Sequence, residues 1–563
     1  MLRRFRAHDV RPMVDLRGVW DFAFLGNVEP DEVEPAAIAF TDCMAVPGCF
    51  DATPAYAGKR GLAAYRTRVL LPTAGRRRLI LDGIHDWCRI FANGRAIADH
   101  SSGFTRFSVD VVLAEGPTEI VVLADNRFDY QRCPLHLDYF DWYNYGGIAR
   151  GVELHRLGDV WLDALEVATQ DYAARKLSVT IRYGATSQAQ APLSITFDGA
   201  EALSERVGLN QGTGEITRTL QFPGAPLWTP DEPNLHLLYV RLGDDDMRER
   251  IGLRQVWTEG RKLMLNGKPI RLQGVNRHES HPQFGHGLPD ALLVADAQII
   301  RDLGCNFVRG SHYPQDARWL DLCDEMGFLV WSEVLGWQHT AEHLNDPHFM
   351  QAQLTNLDEM VASARNHPSV IMYGILNESR SDDPACRTGY QTLLGRLRQL
   401  DPTRLLTYAT CFPEGDLCLD LVDVVAVNTY PGWYHHTPVE IPSVLDDLAR
   451  MIHAKGFADK PLMIGEIGAA ALWGWRDWHA GRYSEQYQAD VLDRALKHLL
   501  DESGRWCGVA VWQFCDVRST ESLALALGRP RGFNNKGLVD EYRRPKMAYD
   551  VVKRHYRAAR GKT

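Results

Sequence analysis

The first 255 residues alternate apolar and polar positions with a period of two, in short runs broken by Gly, Asn and Asp. RRLILDGI (77–84), CRIFANGRAIA (88–98), EIVVLADN (119–126), LSVTIRYG (177–184), LSITFDG (193–199) and LHLLYVRLG (235–243) have this form. Each predicts a strand with one face on a core and the other on solvent, the habit of antiparallel sandwiches. One sandwich seldom uses more than about 150 residues, so two are expected, with the break near 155–160. Beyond residue 255 the pattern turns to strand, helix, strand, helix. Eight β-rich runs follow in order: IRLQGVNRH, FVRGSHYP, FLVWSEV, VIMYGILNE, LLTYAT, VVAVNTY, PLMIGEIG and GVAVWQFCD. Stretches of period 3.6 lie between most of them. DALLVADAQIIRDLG, DARWLDLCDEMG and SEQYQADVLDRALKHLL open on an acidic residue or Ser, types that satisfy a helix's first N–H groups. Eight such units predict a (β/α)8 barrel over 257–563, with a short and irregular fifth crossover.

A barrel of this kind packs its interior with branched apolar residues and does its chemistry at the carboxyl ends of its strands. Those ends turn polar where the strand middles are not. Asn276 and His278, Arg309 and His312, Glu333, Asn377 and Glu378, Asn428 and Tyr430, Glu466, Trp512 and Asp516 fall there. Glu378 and Glu466 each follow an apolar strand directly, so both carboxylates are expected over the barrel mouth. Two carboxylates on one cavity suit glycosidic-bond hydrolysis, one protonating the leaving oxygen and the other attacking or stabilising the anomeric carbon. Mutual repulsion and some burial would keep one protonated while its partner stays ionised. The alternative for the same pair is an ion-pair network with Arg309 or another neighbour. His278, His281 and His312 lack the H-x-H or H-E-x-x-H spacing of a metal site, and no metal is expected. Trp337, Trp433, Trp473, Trp475 and Trp478 fall in expected rim loops, where they either stack on sugar rings or simply pack the loops.

Composition narrows the field. With 45% hydrophobic and 24% charged residues in 563, the chain is an ordinary globular protein. No run of about 18 apolar residues exists, so no membrane partner is expected. The basic start MLRRFRAHDV lacks an apolar core, which reads as a cytoplasmic chain without a secretory signal. A net charge of −10, mixed along the chain, argues against a nucleic-acid partner. Eleven scattered Cys without a CxxC pair fit reduced thiols. The absence of G-x-x-x-x-G-K-[ST] and G-x-G-x-x-G leaves no nucleotide cofactor to expect.

NGKPIRLQGVNRHES, RGSHYP, NHPSVIMYGILNES and GEIG, in this order over roughly 200 residues, resemble the barrel of glycoside hydrolase family 2. The resemblance implies an N-terminal jelly roll (1–156), an immunoglobulin-like sandwich (157–256) and a catalytic barrel (257–563). It implies a retaining enzyme that uses no cofactor, in which Glu378 is the acid/base and Glu466 the nucleophile. NTYPGWY (428–434) is similar to the strand-six motif of the family's β-glucuronidases, whose first Tyr touches the nucleophile, here Tyr430. FDWYNYGGI (140–148) is similar to a jelly-roll segment that sends an Asp into the active site, here Asp141. RGFNNKGLVDEYRRPK, after strand eight, resembles the Asn-x-Lys motif that holds a uronic acid carboxylate, placing Asn534 and Lys536 in that role.

A uronate needs a cation and a neutral donor converging on its carboxylate, because a desolvated charge without a partner is costly. The resemblance further implies that Asn377 bonds the sugar 2-hydroxyl, that His312 and Asp141 contact other hydroxyls, and that Trp512 floors the pocket. Arg380, Trp433 and Arg531 are further candidates, and Arg529 could add positive field. The expected substrate is a β-uronide conjugate or a glycan non-reducing end, cleaved by exo-acting double displacement. β-D-glucuronidase activity is the first expectation. β-D-galacturonidase activity, with the same glutamates and clamp, is the second; a neutral-sugar β-galactosidase or a non-catalytic carbohydrate-binding protein comes after. One departure stands out: Ser379 and Arg380 follow the Asn-Glu pair where Pro is usual. The resemblance also implies a homo-oligomer, dimer or tetramer.

Overall fold

The computed structural model describes residues 6–135, 141–501, 503–519 and 528–560. Phe140, the first residue of the FDWYNYGGI motif, lies outside them.

The first sandwich packs a four-stranded antiparallel sheet on a six-stranded one. Met13–Asp15, Val152–Arg156, Gly75–Leu81 and Phe107–Leu113 form the smaller. Asp42–Val46, Gly18–Gly26, Leu62–Leu71, Gly116–Asp125, Trp87–Ala92 and Arg95–Ser101 form the larger. Trp20, Phe22, Tyr65, Leu81, Ile90 and Val122 fill the space between them. The second sandwich sets Val160–Asp171, Lys176–Ala185 and Gly212–Gln221 against Ala200–Leu209, Ala189–Phe197, His236–Leu242 and Asp245–Ile251. Leu177, Val179 and Ile181 point inward at every second position, as the alternation requires, and meet Leu193, Ile195 and Val240.

All eight β-rich runs of the second half become parallel strands of one barrel: β1 (Leu272–Arg277), β2 (Phe307–Gly310), β3 (Leu329–Glu333), β4 (Val370–Gly374), β5 (Leu405–Thr407, continued by Ala409–Thr410), β6 (Val425–Asn428), β7 (Leu462–Ile467) and β8 (Gly508–Val511). Every residue of these strands is buried, which is why they read as continuous apolar runs. The ladder closes through β5. Its first half pairs with β4 and its second half with β6, the switch falling at Tyr408. The crossover from β5 to β6 carries only the turn of 3-10 helix Leu419–Leu421, matching the irregularity seen in the sequence.

Around the barrel run α1 (Asp290–Asp302), α2 (Ala317–Met326), α3 (Pro347–Ala364), α4 (Arg387–Leu400), α5 (Ile441–Ile452), α6 (Glu485–Leu499) and α7 (Met547–Arg560). Asp316 and Ser484 cap α2 and α6 by accepting from the Arg318 and Tyr487 amides. Asp290 instead sits one position inside α1, behind Pro289, and acts through its charge in the first turn. The lower barrel is filled by Leu272, Phe307, Leu329, Trp331, Met372 and Met463. Leu263 and Leu265, from a three-stranded sheet spanning residues 256–270, close it from below. This apolar plug leaves the upper end of the barrel for polar side chains.

Candidate active site

At the carboxyl ends of the strands lies a cavity of about 400 Å³, and Glu378 and Glu466 both line it. Glu466 leaves β7 from a tight position. A Cβ on the preceding Gly465 would meet Asn428 Oδ1 at 2.8 Å, and the Gly465 carbonyl accepts from Asn276 Nδ2 at 2.9 Å. The Glu466 carboxylate is 3% exposed. Oε1 accepts from Arg309 Nη1 at 2.7 Å and Oε2 from the Tyr430 hydroxyl at 2.5 Å. Burial pushes its carboxyl up to about 7; Glu378 adds to the rise, while Arg309 and the Tyr430 hydrogen bond oppose it. Burial, followed by Glu466, raises the Tyr430 phenol well above its ordinary value, so Tyr430 remains a donor.

Arg309 is the hub beneath the pair. Fully buried on β2, its guanidinium also donates to both oxygens of Glu333 at 2.7 and 3.1 Å, to Asn276 Oδ1 at 2.9 Å and to Asn377 Oδ1 at 2.7 Å. The ion-pair alternative for Glu466 is therefore present, and it coexists with an open cavity above the carboxylate. A planar cation sharing its donors this way fixes orientation as well as charge.

Glu378 is held differently. It is half-buried, accepting from Asn428 Nδ2 at 3.0 Å and Gln338 Nε2 at 3.3 Å. Leu376 (φ 47°) and Glu378 (φ 50°) both adopt the left-handed backbone region, which side chains other than Gly rarely occupy. The Glu378 amide is tied to the Ala409 carbonyl at 2.9 Å, and such ties hold the strained turn in place. Between the glutamates, Asn377 spends Oδ1 on Arg309 and Asn428, while its buried Nδ2 has no partner among the described residues. His312 stacks on Trp512 with ring centroids 5.1 Å apart, and burial, then Arg309, depress its pKa, leaving a neutral imidazole.

The opposite wall is cationic. Lys536 is 2% exposed, and among the described residues it has no carboxylate partner. Nζ donates to the Tyr434 hydroxyl at 2.9 Å and lies 5.0–5.7 Å from the ring centres of Tyr434, Tyr430 and Trp433. Burial lowers its pKa. Asp141, from the first sandwich, also reaches this cavity, where Arg529 grips both its oxygens and Asn534 Nδ2 donates to it at 2.9 Å.

The structure thus gathers Asp141, His312, Glu378, Tyr430, Glu466, Trp512 and Lys536 on one cavity. Asn534 does not line it; its amide is spent on Asp141. Arg380 is exposed and paired with Asp382, Arg531 is paired with Glu541, and Trp433 packs on Tyr483 behind the wall. None of these three lines the cavity. Tyr434, Gln338 and Trp142 line it without having been singled out, and Arg529, Asn428 and Trp337, offered by the sequence only as added positive field, a polar strand end and a rim aromatic, line it as well. Tyr434 could have been found, since it ends the same NTYPGWY motif that contains Tyr430. The grip of Arg529 on Asp141, 388 residues away, is not legible in the sequence.

Two carboxylates on a half-enclosed cavity, with a neutral imidazole and a buried cation, define a carbohydrate-cleaving site on a (β/α)8 barrel. Residues 256–560 match the family model described as "Glycosyl hydrolases family 2, TIM barrel domain", and the chain belongs to that family. It is a glycoside hydrolase acting on carbohydrate. A solved GH2 β-galacturonidase from Eisenbergiella tayi, bound to galacturonate, is 35% identical with a TM-score of 0.92, covering 99% of each chain. The β-glucuronidase of Paenibacillus borealis is 26% identical over 600 residues, covering 96% of each. That of Rattus norvegicus is 28% identical over 525 residues, 85% of this chain and 78% of its own length. Among the described residues, no helix is long and apolar enough to cross a membrane.

Proposed function

We propose that the chain is a retaining, exo-acting β-uronidase, with β-D-glucuronidase activity as the primary reading. The observation that carries it is Lys536. A buried ammonium without a carboxylate partner is costly, and here it opens onto the same cavity as both glutamates. A uronate carboxylate supplies the missing charge, with the Tyr434 hydroxyl and Arg529 beside it. Curated β-glucuronidases aligned over 85% or more of the chain support the same substrate class.

In this reading Glu378, reachable from the open side, protonates the glycosidic oxygen as Glu466 attacks the anomeric carbon. The C–O bond to the aglycone breaks, a covalent glycosyl-enzyme forms, and Glu378 then takes a proton from the water that releases the uronic acid. Arg309 and Tyr430 hold Glu466 by its two oxygens, aiming it and favouring its ionised form. The unpartnered Asn377 Nδ2 donates to the sugar 2-hydroxyl. His312 and Asp141 meet other hydroxyls, and Trp512 supports the ring.

A second reading, β-D-galacturonidase, is favoured by the Eisenbergiella tayi enzyme bound to galacturonate. The two sugars differ only at C4, and both carry the same carboxylate. Turnover of aryl β-D-glucuronide, β-D-galacturonide, β-D-glucoside and β-D-galactoside tests both readings. Uronide turnover that collapses in Glu466→Ala and Lys536→Ala supports the assignment and names the epimer; preference for a neutral sugar overturns it. We further propose the division 1–156, 157–256 and 257–563 as domains, a homo-oligomer, and a cytoplasmic location, to which eleven free thiols are suited.

A further inference from the structure

The proposed chemistry leaves one buried charge unused. Glu333, at the end of β3, is 1% exposed and does not line the sugar cavity. Its oxygens accept from Arg309 Nε at 2.7 Å and Nη2 at 3.1 Å, the two-pronged match of a guanidinium to a carboxylate. Trp331, two positions earlier on the same strand, lies against that guanidinium, with its ring centre 4.4 Å from Cζ. His312 Nδ1 makes a third contact, 3.3 Å from Glu333 Oε2 and 3.4 Å from Arg309 Nη2. Both Nη2 hydrogens are spent, one on Glu333 and one on Asn377 Oδ1. Nδ1 therefore carries the imidazole hydrogen and donates it to Glu333. Three donors thus converge on Glu333, and only an ionised carboxylate accepts from all of them.

Arg309 accordingly has two anionic partners. Among the described residues, Glu333 and Glu466 are its only carboxylates. Glu333 is held by two of its nitrogens, and Glu466 by Nη1 alone at 2.7 Å. Burial presses the Arg309 pKa down, and Glu333, then Glu466, more than restore it. The cation that Glu466 meets is therefore one already shared. Sharing accounts for a carboxyl that stays near 7 although a guanidinium touches it. A carboxylate with a cation to itself is held lower, and a less basic carboxylate is a poorer nucleophile.

We propose that Glu333 is a positioning residue for the nucleophile: it takes up part of the Arg309 charge, which keeps Glu466 reactive, and it remains as the counterion once Glu466 is esterified. The inference rests on the assignment of Glu466 as nucleophile. As a Glu466 oxygen bonds the anomeric carbon, the C–O bond to the aglycone breaks and the carboxylate loses its charge. Arg309 without Glu333 would then be a buried cation with no partner, which is costly. Glu333 removes that cost from the covalent step without touching the sugar.

Glu333→Gln and Glu333→Asp separate this role from packing. Arg309, His312, Glu378, Cys411 and Tyr430 face Glu466, with Lys536 across the cavity. Among the described residues, Glu333 bonds only Arg309 and the neutral His312 of this set. In Glu333→Gln the whole Arg309 charge falls on Glu466, whose pKa drops from about 7. The acidic limb of kcat/KM on an aryl β-uronide then moves to lower pH by about one unit or more, and the plateau falls about tenfold or more. Glu333→Asp keeps the charge and leaves the limb where it stands in the parent. Hydrolysis of the glycosyl-enzyme, followed after trapping with a 2-deoxy-2-fluoro uronide, is not slowed in Glu333→Gln, because that step returns an anion to Arg309. A merely structural Glu333 gives the opposite sign: Arg309 loosens, Glu466 loses its cation, and the limb moves to higher pH. The proposal is overturned by a limb that rises or stays in Glu333→Gln, by an equal shift in Glu333→Asp, or by slower release of the trapped sugar. Peptide mapping of the trapped parent keeps the two readings apart. Label on Glu466 with an unmoved limb sinks the role of Glu333 alone, whereas label elsewhere sinks the nucleophile assignment with it.

Discussion

Replacing Lys536 by Met keeps the length of the side chain and removes only its charge. Nζ is buried, with one neutral hydrogen bond to Tyr434 and three ring edges or faces around it. A carboxylate oxygen docked about 3 Å away interacts with that charge by about 5 kcal/mol at an effective dielectric constant of ~20. Removing one partner of such a pair costs ~3–5 kcal/mol, because the other charge stays buried and uncompensated. At 1.36 kcal/mol per tenfold, kcat/KM for an aryl uronide falls by about 10²–10³-fold or more. The same variant turns over an aryl β-glucoside no worse than the parent, so the uronide-to-glucoside ratio collapses by the full factor. Unliganded, the variant is more stable than the parent by about 1 kcal/mol in urea denaturation, since a desolvated cation has been removed. A loss below tenfold on the uronide, or an equal loss on both sugars, would refute the reasoning.

Glu466→Gln abolishes turnover of every aryl glycoside by more than ~10³-fold, whereas Glu378→Gln loses ~10²–10⁴-fold on poor leaving groups and much less on nitrophenyl leaving groups; steady-state kinetics with a leaving-group series separates them. Tyr430→Phe removes a hydrogen bond that lowers the Glu466 pKa, so that pKa rises above about 7 and the acidic limb of the kcat/KM profile moves to higher pH. A limb that stays in place or moves to lower pH would contradict the assignment. Lys546 is fully buried against Asp516 at 2.7 Å and also donates to the Ala471 and Asn535 carbonyls. Lys546→Met therefore destabilises the protein by about 3–5 kcal/mol in chemical denaturation and loosens the segment that carries Lys536.

The barrel was legible because strands buried on both faces must be apolar throughout, and helices between them must cap and alternate at 3.6. Glu378 and Glu466 were legible for the complementary reason: they interrupt that apolarity where it ends. What the chain did not reveal was the company each residue keeps. Arg309 reads as a polar strand end and as one candidate ion-pair partner of the glutamates, but not as their hub. Only the register of β2 against β1, which pairs Arg309 with Asn276, gathers it with Glu333 and Glu466 into one buried network. Asn534 shows the converse, a motif residue whose amide donates to Asp141, a side chain that period and spacing cannot place.

The grip of Arg529 on Asp141 has a consequence in time. The two residues are 388 positions apart. At a synthesis rate of about 5–20 residues per second, one follows the other from the ribosome by roughly 20–80 s. During that interval the first sandwich can fold, but one wall of the sugar pocket does not yet exist. A nascent chain is therefore inert toward uronides however complete its early domains are, and the enzyme's activity is a report that its two distant halves have met.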